Sequence, residues 1–518
     1  MATPQEKLAE SLEVLEELQN SGVVAIRSAD LSRVQRERLS EAGFLKEVMK
    51  GWYIPGRPDE PAGESTAWYT SYWGFCAAYL NSRFGDEWAL SPEQSASLHA
   101  GNWTVPNQLL VRATKGGNKP TNLPHETSLF DVRTSLPSED DAEVVEGLRL
   151  YALPAALIEC SPGYFQNHPT DARAALAMIK DASDVLRPLL DGGHSVIAGR
   201  LAAAFRNIGR TRIADDIIST MKAAGYAVRE DDPFERKIAL PGNLRMTSPY
   251  VGRVNMMWQS MRDAIPEHFP KAPGLPKNKT AYLKDVDDAY VADAYHSLSI
   301  EGYQVNPALI ERVRSGDWNP EINQADKNHR DALAARGYWL AAQAVRKSAE
   351  KVLDGENPGG VADGDHGTWY REMFTPSVTA GLVRARDLAG YRSGPVYIRR
   401  SKHVPPNREA VRELMPAFFD LLTNEDDPAV RVVLGHFVFV YIHPYIDGNG
   451  RMGRFLMNLL MATARYPWTI VPLQRRADYM AALESASVEQ DIVPFTKFLA
   501  ELVSAGLKGE KLPSIPGN

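Results

Sequence analysis

The chain has 518 residues, more than one ordinary hydrophobic core holds, so several folded units are expected. Its 44% hydrophobic and 24% charged residues are typical of a globular protein, and the net charge of -7 argues against nucleic-acid binding by the whole surface. The two cysteines, Cys76 and Cys160, support neither a disulfide framework nor a zinc site. With no apolar run as long as a membrane span or signal-peptide core, we expect a cytoplasmic protein.

The first 60 residues predict a winged-helix module. Leucines at positions 8, 12, 15 and 18 have helical spacing, and a second helical segment runs from Asp30 to Ala42 after the apolar run "GVVAI". The stretch "GFLKEVMKGWYIPG" then predicts two strands around a turn at Lys50-Gly51. Helix, helix and hairpin in this order outline a winged helix.

The next two regions carry no visible catalytic cluster. Residues 66–232 follow the connector "PGRPDEPAGES" and predict a mixed α/β middle domain. Residues 233–282 are expected to be a linker region, because "FPKAPGLPKNKT" (Phe269 to Thr280) holds three prolines and three lysines and suits neither a helix nor a central strand.

Residues 283–505 predict a nearly all-helical domain, which makes the whole chain mainly α. One hairpin is expected in "GPVYIRRSKHVPP". The predicted helices are Val286–Glu301, Pro307–Ser315, Asn323–Leu353, Glu409–Leu422, Pro428–Ile442, Asn449–Ala464 and Arg475–Ser487.

The loop "HPYIDGNGRMGR" between two very apolar helices carries the densest chemistry in the chain. Gly448, Asn449 and Gly450 lie where the second helix begins, and free backbone N–H groups there, with the helix dipole, form an anion site that phosphate can approach closely. Arg451 and Arg454 lie on one helical face and can both reach a polyphosphate.

Two further residues of this loop suggest a reaction. Asp447 precedes the glycines and can hold a Mg²⁺ ion that bridges phosphate oxygens. His443 is mostly neutral at pH 7 and can accept the proton of an attacking hydroxyl. Taken singly, the histidine is more often a helix cap or core residue, Gly-Asn-Gly a plain turn, and the arginines surface ion pairs. Their joint order favours transfer of a phosphorus group to an alcohol.

The order His443-Pro444-Tyr445-x-Asp447-Gly448-Asn449-Gly450-Arg451-x-x-Arg454 resembles the signature of Fic-domain proteins, except that Tyr445 stands where the family has Phe. The resemblance covers about Val286 to Leu502. It implies a protein adenylyltransferase that moves AMP from Mg-ATP to a Ser, Thr or Tyr hydroxyl of a target protein or of itself. In that reading His443 is the base, Asp447 the metal ligand, and residues from Gly448 through Gly453 to Arg454 hold the phosphates.

Two other segments resemble nucleotide-side elements of the family. "VYIRRSKHVPP" is similar to the flap that registers a target peptide, which implies that Arg400, Ser401, Lys402 and His403 lie along the nucleotide; an ordinary edge hairpin is the alternative. "DYMAALESAS" is similar to the adenosine-side segment, which implies that Tyr479 lies against the base or ribose. Ser487 stands where some relatives carry asparagine.

The segment "SLSIEG" resembles the inhibitory motif of Fic proteins that carry their own regulatory helix. Ser297, Glu301 and Gly302 are then regulatory residues, and Glu301 pairs with Arg454 and blocks the γ-phosphate. Gly302 would cap the helix. An isolated segment of this kind would be a plain helix end. A second implied activity is reversal, in which Glu301 positions water to remove AMP.

The N-terminal half is similar to AbiEi-type antitoxins, through "VVAIRSADLSRVQRERLSEAGFLKEVMKGWYIP" and, loosely, the region after it. Basic residues exceed acidic ones by only two between Arg27 and Lys50, so DNA binding and protein contact remain equal alternatives. A DNA-binding regulator with a nucleotide-sensing Fic domain is the alternative to a pure enzyme. A homodimer is also left open.

Overall fold

The computed structural model describes residues 3–58, 63–234, 248–275, 278–318 and 330–515. The chain forms two compact units, residues 1–253 with Tyr397–Val404, and residues 254–396 with 405–518. The mainly helical character expected from the sequence is confirmed. None of the helices in the described ranges combines the length and the apolar character needed to cross a membrane.

The first unit begins with the predicted helices and hairpin. In chain order these are α1 (Pro4–Asn20), β1 (Ile26–Arg27), α2 (Arg33–Glu41), β2 (Leu45–Met49) and β3 (Trp52–Pro55). The strands form an antiparallel sheet in the order β1-β3-β2, and both helices start at capping boxes, with Thr3 and Ser32 as the N-caps. Gly51 at φ +83° makes the tight turn between β2 and β3.

Most basic residues of this region are bonded inside the module. The donors and their partners are Arg27 to Asp30, Arg33 to Glu37, Arg36 to the carbonyls of Ser28 and Leu31, and Arg38 to the Lys7 carbonyl and Ser11. Arg36 and Arg38 therefore hold α2 in place. DNA contact through this face stays a prediction, and Arg33, whose side chain is 83% exposed, is a more accessible cation on α2.

A mixed helix and strand region follows, as predicted. Its first part packs an aromatic helix, which carries Trp68, Tyr72 and Phe75, against the β2-β3 hairpin and a four-stranded sheet, whose strands lie in the order Trp88–Leu90, Gln108–Ala113, Thr127–Arg133 and Pro120–Leu123. The elements are α3 (Thr66–Phe84), β4 (Trp88–Leu90), α4 (Pro92–His99), β5 (Gln108–Ala113), β6 (Pro120–Leu123), β7 (Thr127–Arg133), β8 (Ala142–Val145), β9 (Leu148–Tyr151), α5 (Leu153–Glu159), α6 (Pro162–Asn167), α7 (Pro169–Met178), α8 (Ser183–Asp191), α9 (Ser195–Asn207) and α10 (Thr211–Ala223).

The segment Tyr397–Val404 belongs to this first unit, and the hairpin predicted for it is wrong because its residues form no strands. Its polar groups are bonded to neighbouring loops instead. The Val105 N–H donates to the Lys402 carbonyl at 2.9 Å, and the buried Glu64 carboxylate accepts from Arg399 at 2.9 Å and from Arg400 at 3.3 Å. Because these groups are already hydrogen-bonded and prolines lie at both ends of the segment, its backbone does not form the paired hydrogen bonds of a β-hairpin.

The second unit is helical. Its helices are α11 (Pro249–Met261), which starts in the first unit, α12 (Lys279–Ile300), α13 (Pro307–Ser315), α14 (Arg330–Leu353), α15 (Pro358–Thr379), α16 (Arg408–Asn424), α17 (Pro428–Ile442), α18 (Asn449–Ala462), α19 (Arg476–Glu484) and α20 (Val493–Leu507). The bounds of α13 and α17 are those predicted. The predicted helix Asn323–Leu353 is present from Arg330, and its first seven residues lie outside the described ranges.

Three of the helices that the structure describes in this unit were not predicted. Helix α11 lies inside the expected linker region, α20 lies near the C-terminal end, and α15 runs through four glycines and an internal proline. Asn357 caps α15 by accepting from the N–H groups of Gly359 and Gly360. A Cβ at Gly359 would overlap Thr423 of α16, so this glycine permits close helix packing that propensity alone disfavours.

Candidate active site

The predicted loop joins α17 to α18 and is held at both ends. His443 ends α17 in a left-handed conformation, at φ +53° and ψ +58°, with its N–H donating to the Phe439 carbonyl at 3.0 Å. The Asn449 side chain accepts from the Tyr445 N–H at 2.9 Å and donates to the Tyr445 carbonyl at 2.8 Å. Asn449 therefore shapes the loop with its side chain, and only its backbone N–H is left for a phosphate.

Residues outside the loop fix it further. The Arg392 guanidinium donates to the His443 carbonyl at 2.8 Å, and the Arg392 N–H donates to the Pro444 carbonyl at 2.9 Å. Tyr445 is buried and stacks on Tyr370 of α15, with 3.8 Å between ring centroids and 9° between planes. The departure from Phe at position 445 thus leaves an aromatic ring in a stacked core contact.

His443 has the protonation state that a base requires. Its Nδ1 lies 3.1 Å from the Val440 carbonyl, and since a carbonyl only accepts, Nδ1 carries the proton and Nε2 keeps its lone pair. Burial lowers the pKa of His443 to about 4, although the bond to Val440 opposes this. The imidazole is therefore neutral at pH 7, and Nε2 can accept a proton.

The N-terminus of α18 has the geometry of an anion site. Gly448 is its N-cap at φ +82°, and a Cβ there would lie 2.9 Å from the Phe374 ring. A Cβ at Gly450 would overlap Oε1 of Glu301. The positive φ and the Phe374 ring therefore favour glycine at position 448, and the space above Gly450 already holds a carboxylate oxygen at the positive end of the helix.

Arg451 is a buried cation with one donor to spare. Its guanidinium lies 5.2 Å from the ring centroids of both Tyr303 and Phe374, and its Nη2 donates to Oδ2 of Asp447 at 3.3 Å. Its Nε has no hydrogen-bond partner within the described part of the chain. An unpartnered donor on a buried arginine is costly unless a ligand supplies the acceptor.

Arg454 is bound by the end of α12. Its Nε donates to Ser297 Oγ at 2.8 Å, and its Nη2 donates to the Ser297 carbonyl at 3.0 Å and to Glu301 Oε1 at 2.8 Å. The predicted pair between Glu301 and Arg454 is thus present. Gly302, at φ +90°, ends the helix, and the next N–H donates back to the Leu298 carbonyl at 3.1 Å.

The charge of Glu301 is set by the two arginines. Burial raises the pKa of Glu301, but the guanidinium groups of Arg454 and Arg451 outweigh this and hold it below its ordinary value. Glu301 is therefore ionised at neutral pH. Its side chain is 33% exposed, whereas that of Arg454 is 4% exposed, so Glu301 is the partner that can move into solvent.

Asp447 is the residue that fits a metal. Its carboxylate is 60% exposed and accepts from the Gly448 N–H at 2.6 Å. Within the described ranges no three His, Cys, Asp or Glu side chains come together as a metal cage. One exposed carboxylate suits Mg²⁺, which commonly takes one or two carboxylates and completes its shell with phosphate and water.

Tyr479 and residues 400–403 are the other predicted contact residues. Tyr479 is buried, and its hydroxyl donates to His436 Nε2 at 2.7 Å, while His436 Nδ1 donates to the Gly453 carbonyl at 2.8 Å. The same hydroxyl lies within hydrogen-bonding reach of Arg454, so Tyr479 supports that arginine from within the core, and its contact with a base or ribose stays a prediction. Ser487 is buried in a π-helical turn, Ser485–Glu489. Arg400, Ser401, Lys402 and His403 lie in the segment of the first unit described above.

Arg392, His436, Tyr370 and Phe374 were missed by the sequence analysis. Tyr370 and Phe374 were missed because α15 was not predicted. Arg392 lies in "GYRSGP", which carries no recognisable pattern. His436 lies seven residues before His443 inside an apolar helix, and that polar residue in an apolar run was the one available signal.

Comparisons with known proteins agree with this site. Residues 367–461 match the model of the Fic/DOC family. Protein adenylyltransferase Fic of Nematostella vectensis is 29% identical over 253 residues, which cover 48% of this chain and 55% of the relative. The protein of the same name from Drosophila willistoni is 32% identical over 218 residues, which cover 41% of this chain and 40% of the relative. The chain thus spans about half the length of these curated relatives.

Two solved structures are similar to this chain. Fic-1 (residues 134–508) from C. elegans is 20% identical and matches 66% of this chain and 96% of that chain, with a TM-score of 0.37. A Fic domain containing signaling protein from Bacteroides thetaiotaomicron is 16% identical and matches 51% of this chain and 99% of that chain, with a TM-score of 0.36. The resemblance read from the loop is confirmed by the family match, and residues 367–461 are the part of this chain that matches the Fic/DOC family.

Proposed function

We propose that the chain is a protein adenylyltransferase that transfers AMP from Mg-ATP to a Ser, Thr or Tyr hydroxyl of a protein. The observation that carries the proposal is the position of the Glu301 carboxylate, which lies at the N-terminus of α18 and accepts from Arg454 at 2.8 Å. A carboxylate oxygen there marks where an anionic ligand is favourable. The relatives named protein adenylyltransferase support an ATP phosphate as that ligand.

The proposed chemistry follows from the positions of the loop residues. The acceptor hydroxyl oxygen attacks the α-phosphorus, the bond from that phosphorus to the bridging oxygen breaks, and pyrophosphate leaves. The hydroxyl proton passes to His443 Nε2, which is free because Nδ1 donates to Val440. Arg451, Arg454 and the N–H groups at the start of α18 hold the phosphates in line for attack.

Asp447 is the proposed Mg²⁺ ligand. When bound, the metal would neutralise phosphate charge and favour departure of pyrophosphate. Asp447 would keep one carboxylate oxygen on the Gly448 N–H, which orients the other oxygen. The acceptor protein, self-modification, a homodimer and a cytoplasmic location remain predictions.

Glu301 is the proposed restraint on this activity. It must leave Arg454 before a γ-phosphate can use the same guanidinium, so the wild-type protein should transfer AMP slowly. Ser297 keeps two bonds to Arg454 that do not depend on Glu301. Arg454 therefore stays oriented in the released state.

The test uses ATP labelled at the α- or at the γ-phosphate, incubated with the full chain, Mg²⁺ and a cell extract. Label from the α position should appear on protein, and label from the γ position should not. The matched control is His443→Ala, which should bind ATP but transfer no label. Label from the γ position on protein would show phosphate transfer instead, and no label from either position, even with Glu301→Gly, would refute the proposal.

A further inference from the structure

A chain of buried hydroxyl groups lies beneath the pair of Glu301 and Arg454. Asp293, Ser297 and Glu301 are spaced four residues apart on α12 and share one helical face. The Tyr338 hydroxyl, on α14, donates to Asp293 Oδ2 at 2.9 Å. Ser297 lies within hydrogen-bonding reach of the same hydroxyl, and Ser297 Oγ accepts from Arg454 Nε at 2.8 Å.

The direction of these hydrogen bonds is fixed from one end. The ionised Asp293 carboxylate only accepts, so the Tyr338 proton points to it. The Tyr338 oxygen is then free to accept the Ser297 proton, which leaves a Ser297 lone pair for the Arg454 Nε–H. Without the acceptor at Asp293, each hydroxyl could rotate, and Ser297 could turn its proton toward the guanidinium.

Burial makes this order costly to break. Tyr338 is fully buried, and Asp293 and Ser297 are 4% and 2% exposed, so water does not replace a lost partner. The other polar groups that face Asp293 are the Trp468 indole, the Arg454 guanidinium and the Tyr290 hydroxyl on its own helix. Tyr338 is thus the direct hydroxyl link from Asp293 to Ser297.

From this geometry we infer that Asp293 and Tyr338 are positioning residues, which orient Arg454 through Ser297 for whichever anion it binds. The inference rests on the proposed function where it concerns ATP. Tyr338 would orient Arg454 through Ser297 both when Glu301 is the partner of Arg454 and when a terminal phosphate replaces Glu301.

The test measures ATP and AMP binding by calorimetry in the full chain carrying Glu301→Gly, with and without Tyr338→Phe. We expect the Kd for ATP to rise about fivefold with Tyr338→Phe, the effect of one typical hydrogen bond. The Kd for AMP should stay within twofold, because AMP has no terminal phosphate for Arg454. A general loss of structure would weaken the binding of both ATP and AMP.

Tyr290→Phe is the matched control. Tyr290 lies on α12 one turn before Asp293, and its buried hydroxyl has no hydrogen-bond partner among the described residues. This variant should leave both affinities within twofold. It therefore separates loss of the hydroxyl link from loss of a buried tyrosine oxygen on the same helix.

Asp293 supplies a second comparison, which also serves if Tyr338→Phe does not fold. Asp293→Asn keeps an acceptor oxygen and should retain ATP affinity within twofold, whereas Asp293→Ala should lose about fivefold for ATP and not for AMP. The inference would be overturned if Tyr338→Phe or Asp293→Ala bound ATP as tightly as the Glu301→Gly parent. It would also be overturned if either variant lost as much affinity for AMP as for ATP.

The same variants separate this inference from the proposed function. If AMP transfer is measurable, the factor by which Glu301→Gly activates should fall about fivefold in the Tyr338→Phe background. If no AMP transfer is found in Glu301→Gly while the selective loss of ATP affinity is seen, the proposed activity fails and the positioning role stands. If Glu301→Gly activates AMP transfer but Tyr338→Phe has no effect, the proposed activity stands and the positioning role fails.

Discussion

Replacing Glu301 with glycine should increase AMP transfer about 5- to 30-fold. The change removes one charge-assisted hydrogen bond, from Arg454 Nη2 at 2.8 Å, while both bonds from Arg454 to Ser297 remain. Such a bond is worth about 1.5–3 kcal/mol, and we reduce this to about 1–2 kcal/mol because the Glu301 side chain is 33% exposed. At about 1.4 kcal/mol per tenfold, that range gives the expected factor.

The substitution should leave the fold intact. Glu301 is the C-cap of α12 at φ -82°, and the left-handed turn that ends the helix is made by Gly302. A glycine at the cap loses no packing, because Glu301 contributes its carboxylate and not an apolar surface. The melting temperature should therefore change by only a few degrees at most.

The assay is the initial rate of label transfer from α-labelled ATP at saturating ATP, with self-modification and a cell extract as acceptors. Glu301→Gln is the matched control, because it keeps the shape and a neutral acceptor, and its rate should lie between the other two. Arg454→Ala should be slow, since it loses the phosphate contact together with the restraint. A Glu301→Gly protein that is folded, binds ATP and is no faster than wild type would refute the reasoning.

Three further results are expected. His443→Ala should slow AMP transfer by about 10²- to 10⁴-fold at unchanged ATP affinity. Because burial lowers the pKa of His443 to about 4, the wild-type rate should show no loss centred near pH 6.5. Such a loss would contradict the assignment of His443 as the base. Gly450→Ala should abolish transfer and weaken ATP binding even beside Glu301→Gly, since its methyl group would occupy the position of the Glu301 oxygen. Asp293→Asn should stabilise the protein at pH 7.5 by about 3 kcal/mol, because burial raises the pKa of Asp293 from 3.8 to about 6. Between these two pH values the folded wild-type protein binds more protons than the unfolded one, so its stability rises as the pH falls through 6. The difference in melting temperature between variant and wild type should therefore shrink by pH 4.5.

The loop and its two helices could be predicted because their signals are local. The apolar run before His443 predicted a core helix, and α17 is buried along nearly its whole length. The glycines predicted the start of α18, where Gly448 has a positive φ. The pair of Glu301 and Arg454 was predicted only through the family resemblance, since no local rule joins residues 153 positions apart.

Other residues could not be assigned because their partners are distant in sequence. The expected place of Tyr479 at the nucleotide stays a prediction, and the sequence did not reveal that its hydroxyl lies against His436 and within reach of Arg454. Asn449 was counted among the phosphate ligands, whereas its side chain closes the loop on Tyr445. Arg36 is one of the basic residues counted between Arg27 and Lys50, but its guanidinium is bonded to backbone carbonyls of its own module. Counting charges gives no information about such internal acceptors.

The bonds of Arg454 explain why restraint and activity would share one residue. Two of its bonds go to Ser297, which is 2% exposed and fixed within α12, and another goes to a partly exposed carboxylate at the helix end. The buried Tyr479 hydroxyl also lies within hydrogen-bonding reach of Arg454. Of the bonds to α12, only the one to Glu301 can be exchanged without breaking the helix. An incoming phosphate would therefore meet a guanidinium that is already oriented, and would have to displace one flexible anion. Any substitution that moves Arg454 should therefore alter both the ATP affinity and the strength of the restraint. Only a substitution of Glu301 should change the restraint without weakening the contact between Arg454 and the phosphate.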